Sequence, residues 1–504
     1  MALLGAQLVI TLVFVSIIQK LSPHFSLAKW ILCSTGLMRY LHPTDEELRT
    51  LAGVPKEKSG KGGKKNGHAN SEKSSTFHVP RSLDVHLDAI NITHYDVLHL
   101  RYFTEYQWLI DFSLYAAVVY LISEVYHFFV PIKDEVNLSM LWCCLVVFFA
   151  FKLLASLTIQ YFRSDESIGE RSTCIVTGLI YFLLAMIAVI LPERTLEVGL
   201  NTAYQKFNEG AAKFMDEQGV SSSGPASKIV LLFCIAVSSG VVGAIFTFPG
   251  LRMAKMHFDS LKYCKEKPLL KLLLNINFAL PFLLVLLWIK PVGRDLLTSS
   301  FSGRIEQPLM TQETFESMRL LIIIFAVVLR ICLMPIYLQA YLNLAYDRVE
   351  DQKKEAGRIT NVELQRKVSS IFYYLCVVTL QYAAPIIMCL FLSFMYKTLG
   401  GYSWMWTPVS TAVTGAEECP VDLEEFGEFA PTTEAPFETE EVTTQATIIQ
   451  AAQNFHLSLQ NLKTVFHQDV YRGLLGFATW WSCFVWFASS SLGMFYQTYF
   501  VNKT

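Results

Sequence analysis

Four ionisable residues lie inside long apolar stretches, where a charge is costly: Asp111, Glu124, Lys152 and Arg330. A charged side chain at the centre of a membrane-spanning helix costs about 2.5–3.5 kcal/mol on insertion scales, so such residues are functional candidates by default. Two acids and two bases can neutralise each other, which predicts an intramembrane charge network. The network either moves and gates an ion or proton path, or it pairs statically and fixes the helix register. We favour static pairing.

The elements that must position these charges are apolar runs of about 20 residues, each long enough to cross a bilayer. Only 17% of the 504 residues are charged, whereas soluble domains contain about 25%. Backbone groups in lipid must be satisfied within their own segment, so the runs predict helices. The predicted fold class is all-α, a polytopic membrane helix bundle with about nine transmembrane helices. The runs are 2–20, 108–130, 138–162, 173–191, 229–250, 272–290, 319–338, 371–396 and 472–496.

The charge of the loops predicts the orientation, because cytoplasmic loops carry an excess of lysine and arginine. Loops 21–107, 163–172, 251–271, 339–370 and the tail hold 26 of these residues, and the alternate loops hold ten. The first set is therefore predicted to be cytoplasmic, with the N-terminus external.

Residues 1–20 are either a retained first transmembrane helix or a cleaved signal peptide. A signal peptide begins with a positive region, but no basic residue precedes Lys20. Cleavage would also place the most basic loop, 21–107, on the external side. We therefore expect a retained helix.

Composition predicts the character of each remaining segment. Lysine, glycine and serine dominate 53–80, which indicates disorder. Thr44 and Glu47 have the spacing of a capping box at the start of a short helix. The predicted parts are the first transmembrane helix 1–20, the basic cytoplasmic loop 21–107 with its disordered stretch 53–80, a bundle of seven helices over 108–396 with amphipathic loop helices at 196–215 and 339–370, an acidic Thr/Pro-rich external loop 397–471, the last transmembrane helix 472–496 and a cytoplasmic tail 497–504.

The fifth run carries small residues at helical spacing. Ala236, Gly240 and Ala244 are four residues apart, with Gly243 alongside, which predicts close helix packing. Prolines predict kinks in three runs, and broken helices occur at transporter sites. Proline is also frequent in transmembrane helices generally. The three are Pro249, Pro281 and Pro385.

No catalytic, cofactor-binding or metal-binding motif is present, so no catalytic residue, cofactor or metal ligand is predicted and the chain is expected not to be an enzyme. The net charge of −2 gives no support for nucleic-acid binding. Sequons for N-glycosylation occur at Asn91, Asn137 and Asn502. The predicted topology places Asn91 and Asn502 inside and Asn137 close to the membrane, so we expect little N-glycosylation.

Short distinctive stretches occur along nearly the whole chain, and Asp111 lies in one of them. They are EYQWLIDF (105–112), GERS (169–172), TFPGLR (247–252), LQAYLNLA (338–345), KKEAGRI (353–359), FYYLCVV (372–378), KTLGGYSW (397–404) and YRGLLGF with Trp480 and Trp481. Together they resemble the transmembrane protein 161 family of multi-pass proteins, which implies a non-enzymatic membrane protein.

One branch of that family is associated with cardiac rhythm and potassium and calcium currents, and the other with protection from oxidative stress. KTLGGYSW resembles the stress-linked branch, and KKEAGRITNVELQ and FYYLCVV resemble the rhythm-linked one.

Three functional hypotheses follow. The first is a regulator of ion currents and membrane excitability, whose partners are the lipid bilayer and ion channels or pumps. The second is protection against oxidative stress. The third is a small-solute or proton-coupled transporter that uses the four membrane charges. The expected location is the plasma membrane or the endoplasmic reticulum, and no small-molecule ligand is indicated.

Overall fold

The computed structural model describes most of the chain, and all structural statements concern those residues. They are 6–21, 24–53, 77–79, 86–129, 137–163, 168–217, 227–264, 266–298, 310–354, 359–404 and 465–501. The helices are α1 Ala6–Leu21, α2 Leu27–Cys33, α3 Asp45–Ala52, α4 His94–Leu98, α5 Phe103–Phe129, α6 Ser139–Arg163, α7 Ile168–Ile190, α8 Leu200–Glu217, α9 Lys228–Tyr263, α10 Pro268–Leu286, α11 Arg294–Thr298, α12 Gln312–Leu342, α13 Leu344–Lys354, α14 Asn361–Tyr373, α15 Leu375–Leu399 and α16 Gln468–Tyr496, followed by a π-helical turn Gln497–Val501.

The prediction of an all-α polytopic bundle is confirmed. Within the described residues, seven helical stretches are long and apolar enough to cross a membrane. They are α5, α6, α7, α9 and α10, together with Gln312–Asp351 and Asn361–Leu399. Neither α1, with 16 described residues, nor α16, which is rich in Trp, Ser and Gly, is among them. The count of nine therefore stays a prediction.

Helix α15 lies at the centre of the bundle. Its residues are buried almost without interruption from Leu375 to Phe394. A helix that is apolar on all sides must be surrounded by other helices. It packs against α6, α12 and α16, and α16 packs in turn against α9.

Helices α7 and α9 meet through the small residues that the spacing singled out. A Cβ atom added at Gly240 would lie 2.9 Å from Phe182 Cβ, and one at Gly243 would lie 2.4 Å from Tyr181 Cγ. Gly178 of α7 faces Ala244 in the same contact. Ala236 is completely buried.

The prolines do not end their helices. Helix α9 was expected to stop near residue 250, but it continues through Pro249 to Tyr263. Pro281 and Pro385 likewise lie inside α10 and α15. Proline removes one backbone hydrogen bond, and in a membrane helix the neighbouring helices can make up for that loss.

One end of the bundle carries a small layer of loop elements. It is called the basic end below, because it holds loops rich in lysine and arginine such as 251–271 and 339–370. Strands β1 Met38–Tyr40 and β3 Ala89–Asn91 pair antiparallel, as do β2 His78–Val79 and β4 Ile359–Thr360. Helices α3, α13 and α14 share an apolar cluster with β2 that includes Leu48, Val79, Val349 and Leu364. Helix α3 begins with the capping box at Thr44 and Glu47.

Disorder was predicted around residues 53–80, but the end of that stretch forms a short strand. Residues 78 and 79 form β2 because they can pair with β4. The Phe77 amide also donates a hydrogen bond to Asn361 Oδ1, 3.2 Å away. Residues 54–76 and 80 lie outside the described residues.

Candidate functional site

Asp111 holds a short helix against the bundle. Its two carboxylate oxygens accept hydrogen bonds from Ser26 Oγ at 2.7 Å and from the Ala28 amide at 3.0 Å. Ser26 is the N-cap residue of α2 and Ala28 lies in its first turn, where free amides favour a negative partner. Tyr106 supports the same junction by donating to the Ala28 carbonyl at 3.1 Å. Asp111 therefore acts as a helix cap supplied by another helix.

Glu124 pairs with Lys397, a residue that the sequence argument did not single out. The pair joins the far end of α5 to the far end of α15, and both side chains are mostly buried. Thr398 Oγ1 also donates to Glu124 at 2.9 Å. Tyr120 and Trp404 extend the contact, with Trp404 Nε1 donating to the Tyr120 hydroxyl at 3.3 Å.

Lys152 faces outward from α6. Its side chain is exposed on the surface of the bundle, and it forms no ion pair with any described residue. It lies about 20 Å along the helix from Ser139 and about 16 Å from Arg163, at 1.5 Å per residue. Lys152 is thus an exposed cation near the middle of a spanning helix.

Arg330 is buried among aromatic rings. Its guanidinium carbon lies 4.3 Å from the Trp486 ring centroid and 5.3 Å from that of Tyr382. Tyr382 also donates to the Arg330 carbonyl at 2.6 Å. No carboxylate among the described residues pairs with Arg330, and its Nε has no hydrogen-bond partner there. Aromatic faces partly compensate a buried cation, by about 0.5–2 kcal/mol each.

The four predicted charges therefore do not form one network. Their depths along the helices would allow mutual pairing. In the structure, however, Asp111 binds the end of α2 and Glu124 pairs with a lysine of α15. Arg330 packs against aromatic rings, and Lys152 is exposed on the surface. Depth along a helix is readable from sequence, but the rotation of each helix about its axis depends on packing.

A second charge cluster lies at the end of the bundle opposite the basic end. Arg319 is almost completely buried, stacks on Trp288 at 4.0 Å and donates to the Tyr396 hydroxyl at 3.0 Å. It also pairs with Glu316 and lies 3.8 Å from Glu197. This cluster was not predicted from the sequence, although Glu316 and Arg319 are three residues apart and therefore share one helix face.

A polar cluster that the sequence analysis also missed joins three helices. The Tyr337 hydroxyl of α12 lies 3.2 Å from His257 Nδ1 of α9 and accepts from Asn277 Nδ2 of α10 at 3.1 Å. All three residues are buried. The three residues are brought together only by helix packing, so no local sequence pattern predicts the cluster.

A large vestibule opens at the basic end. Its volume is about 1530 Å³. Six basic side chains line it together with two acidic ones, Glu170 and Asp259; the basic ones are Arg101, Arg163, Arg252, Lys255, Arg348 and Lys367.

Gln381 links the vestibule to Arg330. It lines the vestibule and also a small cavity of about 10 Å³ that Arg330 and Trp486 border. Pro249 and Pro385, two of the predicted kink positions, line the small cavity as well. Arg330 thus lies beyond the floor of the basic vestibule.

The sequons take up different positions. Asn91 pairs with Met38 between β3 and β1, and the Asn137 side chain accepts from the Ser139 amide at 3.1 Å. Asn502 lies outside the described residues. Little N-glycosylation stays a prediction. No group of three or more His, Cys, Asp and Glu within the described part of the chain could hold a metal ion.

Residues 2–501 match the family described as predicted transmembrane protein 161AB. The chain belongs to the transmembrane protein 161 family. Because the match covers nearly the whole chain, it confirms the resemblance of the short stretches. As a member of this family, the protein is an integral multi-pass membrane protein that lies in a lipid bilayer. No solved structure matches the chain.

Proposed function

We propose that this protein is a non-enzymatic regulator of ion currents that binds a channel or pump within the membrane through α6. The observation that carries the proposal is Lys152, an exposed cation near the middle of a spanning helix. The resemblance to the rhythm-linked branch, in KKEAGRI and FYYLCVV, supports potassium and calcium channels as the partner class.

The surface around Lys152 is a stripe along one face of α6. Leu141, Leu145, Phe148 and Ile159 are exposed on the same face, at helical spacing from Lys152. The apolar members suit lipid or a partner helix equally well. The lysine does not suit lipid, because a charge at the centre of a span costs about 2.5–3.5 kcal/mol and only lysines near helix ends reach the headgroups easily.

A carboxylate on a partner's membrane helix would relieve this cost. An ion pair in the membrane is directional and rare, so it also provides specificity. Glu124 and Asp111 already have polar partners within the protein, and Arg330 is enclosed by aromatic rings. This arrangement supports a scaffold whose buried charges are static and in which Lys152, exposed near the middle of its helix, recognises a partner.

The test is whole-cell current in cells that express a defined potassium or calcium channel, with and without this protein. Lys152→Met should abolish the change in the host current, and Lys152→Arg should preserve most of it. Lys228→Met is the matched control, since Lys228 is exposed at the end of α9 rather than at its middle. Surface abundance must be equal. The proposal fails if the host currents do not respond to the protein, or if Lys152→Met acts like wild type.

A carrier is the second candidate, and the vestibule above Arg330 favours it. A cavity open at one end, with proline-containing helices and a buried cation below its floor, suits alternating access. Reconstituted vesicles test this candidate by tracer flux. Flux that Arg330→Gln abolishes would support a carrier, whereas a regulator gives no flux.

A further inference from the structure

We propose that the vestibule at the basic end binds a phosphate-bearing anion, held by Arg252, Arg348 and the neighbouring basic side chains. This inference is independent of the Lys152 surface, which lies on a different part of the bundle.

The first argument is electrostatic. Five separate elements place basic side chains around one concave surface: the turn before α5, α6, α9, α13 and α14. Like charges gathered in a cavity repel each other. Lys367 lies 3.9 Å from Glu363, and the two acidic lining residues do not balance the five other basic ones. Arg252 and Arg348 form no ion pair with any residue that the structure describes. A phosphate offers several acceptor oxygens and more than one negative charge, so it would satisfy several of these groups at once.

The second argument is the chemistry of the rest of the lining. Gln160, Thr173 and Ser370 add neutral polar side chains to the lining. Phe248, Leu251 and Leu492 form an apolar wall beside the basic groups. Polar and basic groups next to an apolar wall suit an anion attached to an apolar or ring-containing body. Basic pockets between membrane helices on the cytoplasmic side are typical sites for phosphorylated lipid headgroups.

The third argument is the size of the cavity and the helix contact beside it. Helices α9 and α16 approach each other closely at the vestibule, since a Cβ atom added at Gly493 would lie 3.0 Å from Leu251 Cα and both residues line the cavity. The volume of about 1530 Å³ exceeds the roughly 300–1,000 Å³ of ordinary ligand pockets. The space accommodates a headgroup together with the first part of its acyl chains, or a soluble phosphate ester.

The experiment uses the full-length protein in phosphatidylcholine nanodiscs. One arm adds phosphatidylinositol 4,5-bisphosphate to the bilayer, and the other adds soluble inositol trisphosphate or inorganic phosphate. Binding is followed by the shift of the thermal unfolding midpoint and by titration. Binding in the lipid arm alone identifies a headgroup, and binding in the soluble arm identifies a free phosphate ester; either supports the proposal.

Variants decide whether the binding is specific to the vestibule. Arg252→Gln and Arg348→Gln should each weaken binding by about fivefold or more. Arg366→Gln is the control, because Arg366 is exposed on α14 but does not line the vestibule. If Arg252→Gln fails to fold, the exposed Arg348 still tests the site. Lys152→Met should bind like wild type, which separates this proposal from the regulatory one. Absence of binding in both arms, or equal weakening by Arg366→Gln, would overturn it.

Discussion

Glu124→Gln is expected to destabilise the protein by about 1–2 kcal/mol. A charge-assisted hydrogen bond contributes roughly 1.5–3 kcal/mol, and losing one partner leaves the other charge partly buried. The side chains of Glu124 and Lys397 are 16% and 13% exposed, so solvent screens the pair only in part. Glutamine can still accept from Thr398, and Lys397 keeps its contact with the Trp404 ring at 5.7 Å. These two contacts hold the loss below that of a fully buried pair.

A double-mutant cycle with Lys397→Met isolates the interaction. Unfolding of the purified protein by SDS in mixed micelles, followed by tryptophan fluorescence, supplies the free energies. The coupling between the two substitutions should be about 1 kcal/mol or more. Glu209→Gln is the matched control, because the Lys206–Glu209 pair is 48% and 62% exposed and should contribute less than about 0.5 kcal/mol. If Glu124→Gln costs no more than Glu209→Gln, the static-pairing argument is refuted.

Three further predictions concern packing, capping and pH. Gly243→Ala should cost about 1–3 kcal/mol, since the added methyl meets the Tyr181 ring, whereas Gly169→Ala meets nothing and should be neutral in the same SDS assay. Asp111→Leu should raise amide hydrogen exchange across α2 and leave the exchange of α15 unchanged. Burial alone would raise the pKa of Asp96, but hydrogen bonds from Thr93 and the charge of Arg39 lower it below its ordinary value. The stabilisation of the β1–β3 pair by the Asp96 carboxylate is therefore complete above about pH 4 and is lost as the pH falls through the lowered pKa. The measurement is amide hydrogen exchange of β1 above and below that pKa, and an exchange rate that Asp96→Asn leaves unaltered in both conditions would contradict this.

Much of the fold could be predicted from sequence, because hydropathy and spacing are local properties. The long apolar runs correspond to spanning helices such as α6 and α7. Gly240 and Gly243, which the spacing singled out, lie where α9 approaches α7, and small residues are required wherever two backbones approach. The capping box at Thr44 marked the start of α3 for a similarly local reason.

The partners of the charged residues could not be predicted, because they depend on how distant helices pack. Lys397 lies 273 residues from Glu124 in the chain. The vestibule requires Arg101, Arg252 and Arg348 to converge from three different elements. A sequence gives the depth of such residues, but it does not give the direction in which each helix face points.

The most direct test of the proposed function is site-specific photo-crosslinking between α6 and a co-expressed channel. A photoreactive amino acid replaces Phe148, which is 64% exposed on the Lys152 face, or Leu179, which is 60% exposed on α7. We predict an adduct with a membrane helix of the channel from position 148, its loss when Lys152→Met is added, and none from position 179. Equal adducts from both positions, or an adduct at 148 that persists without Lys152, would contradict the account.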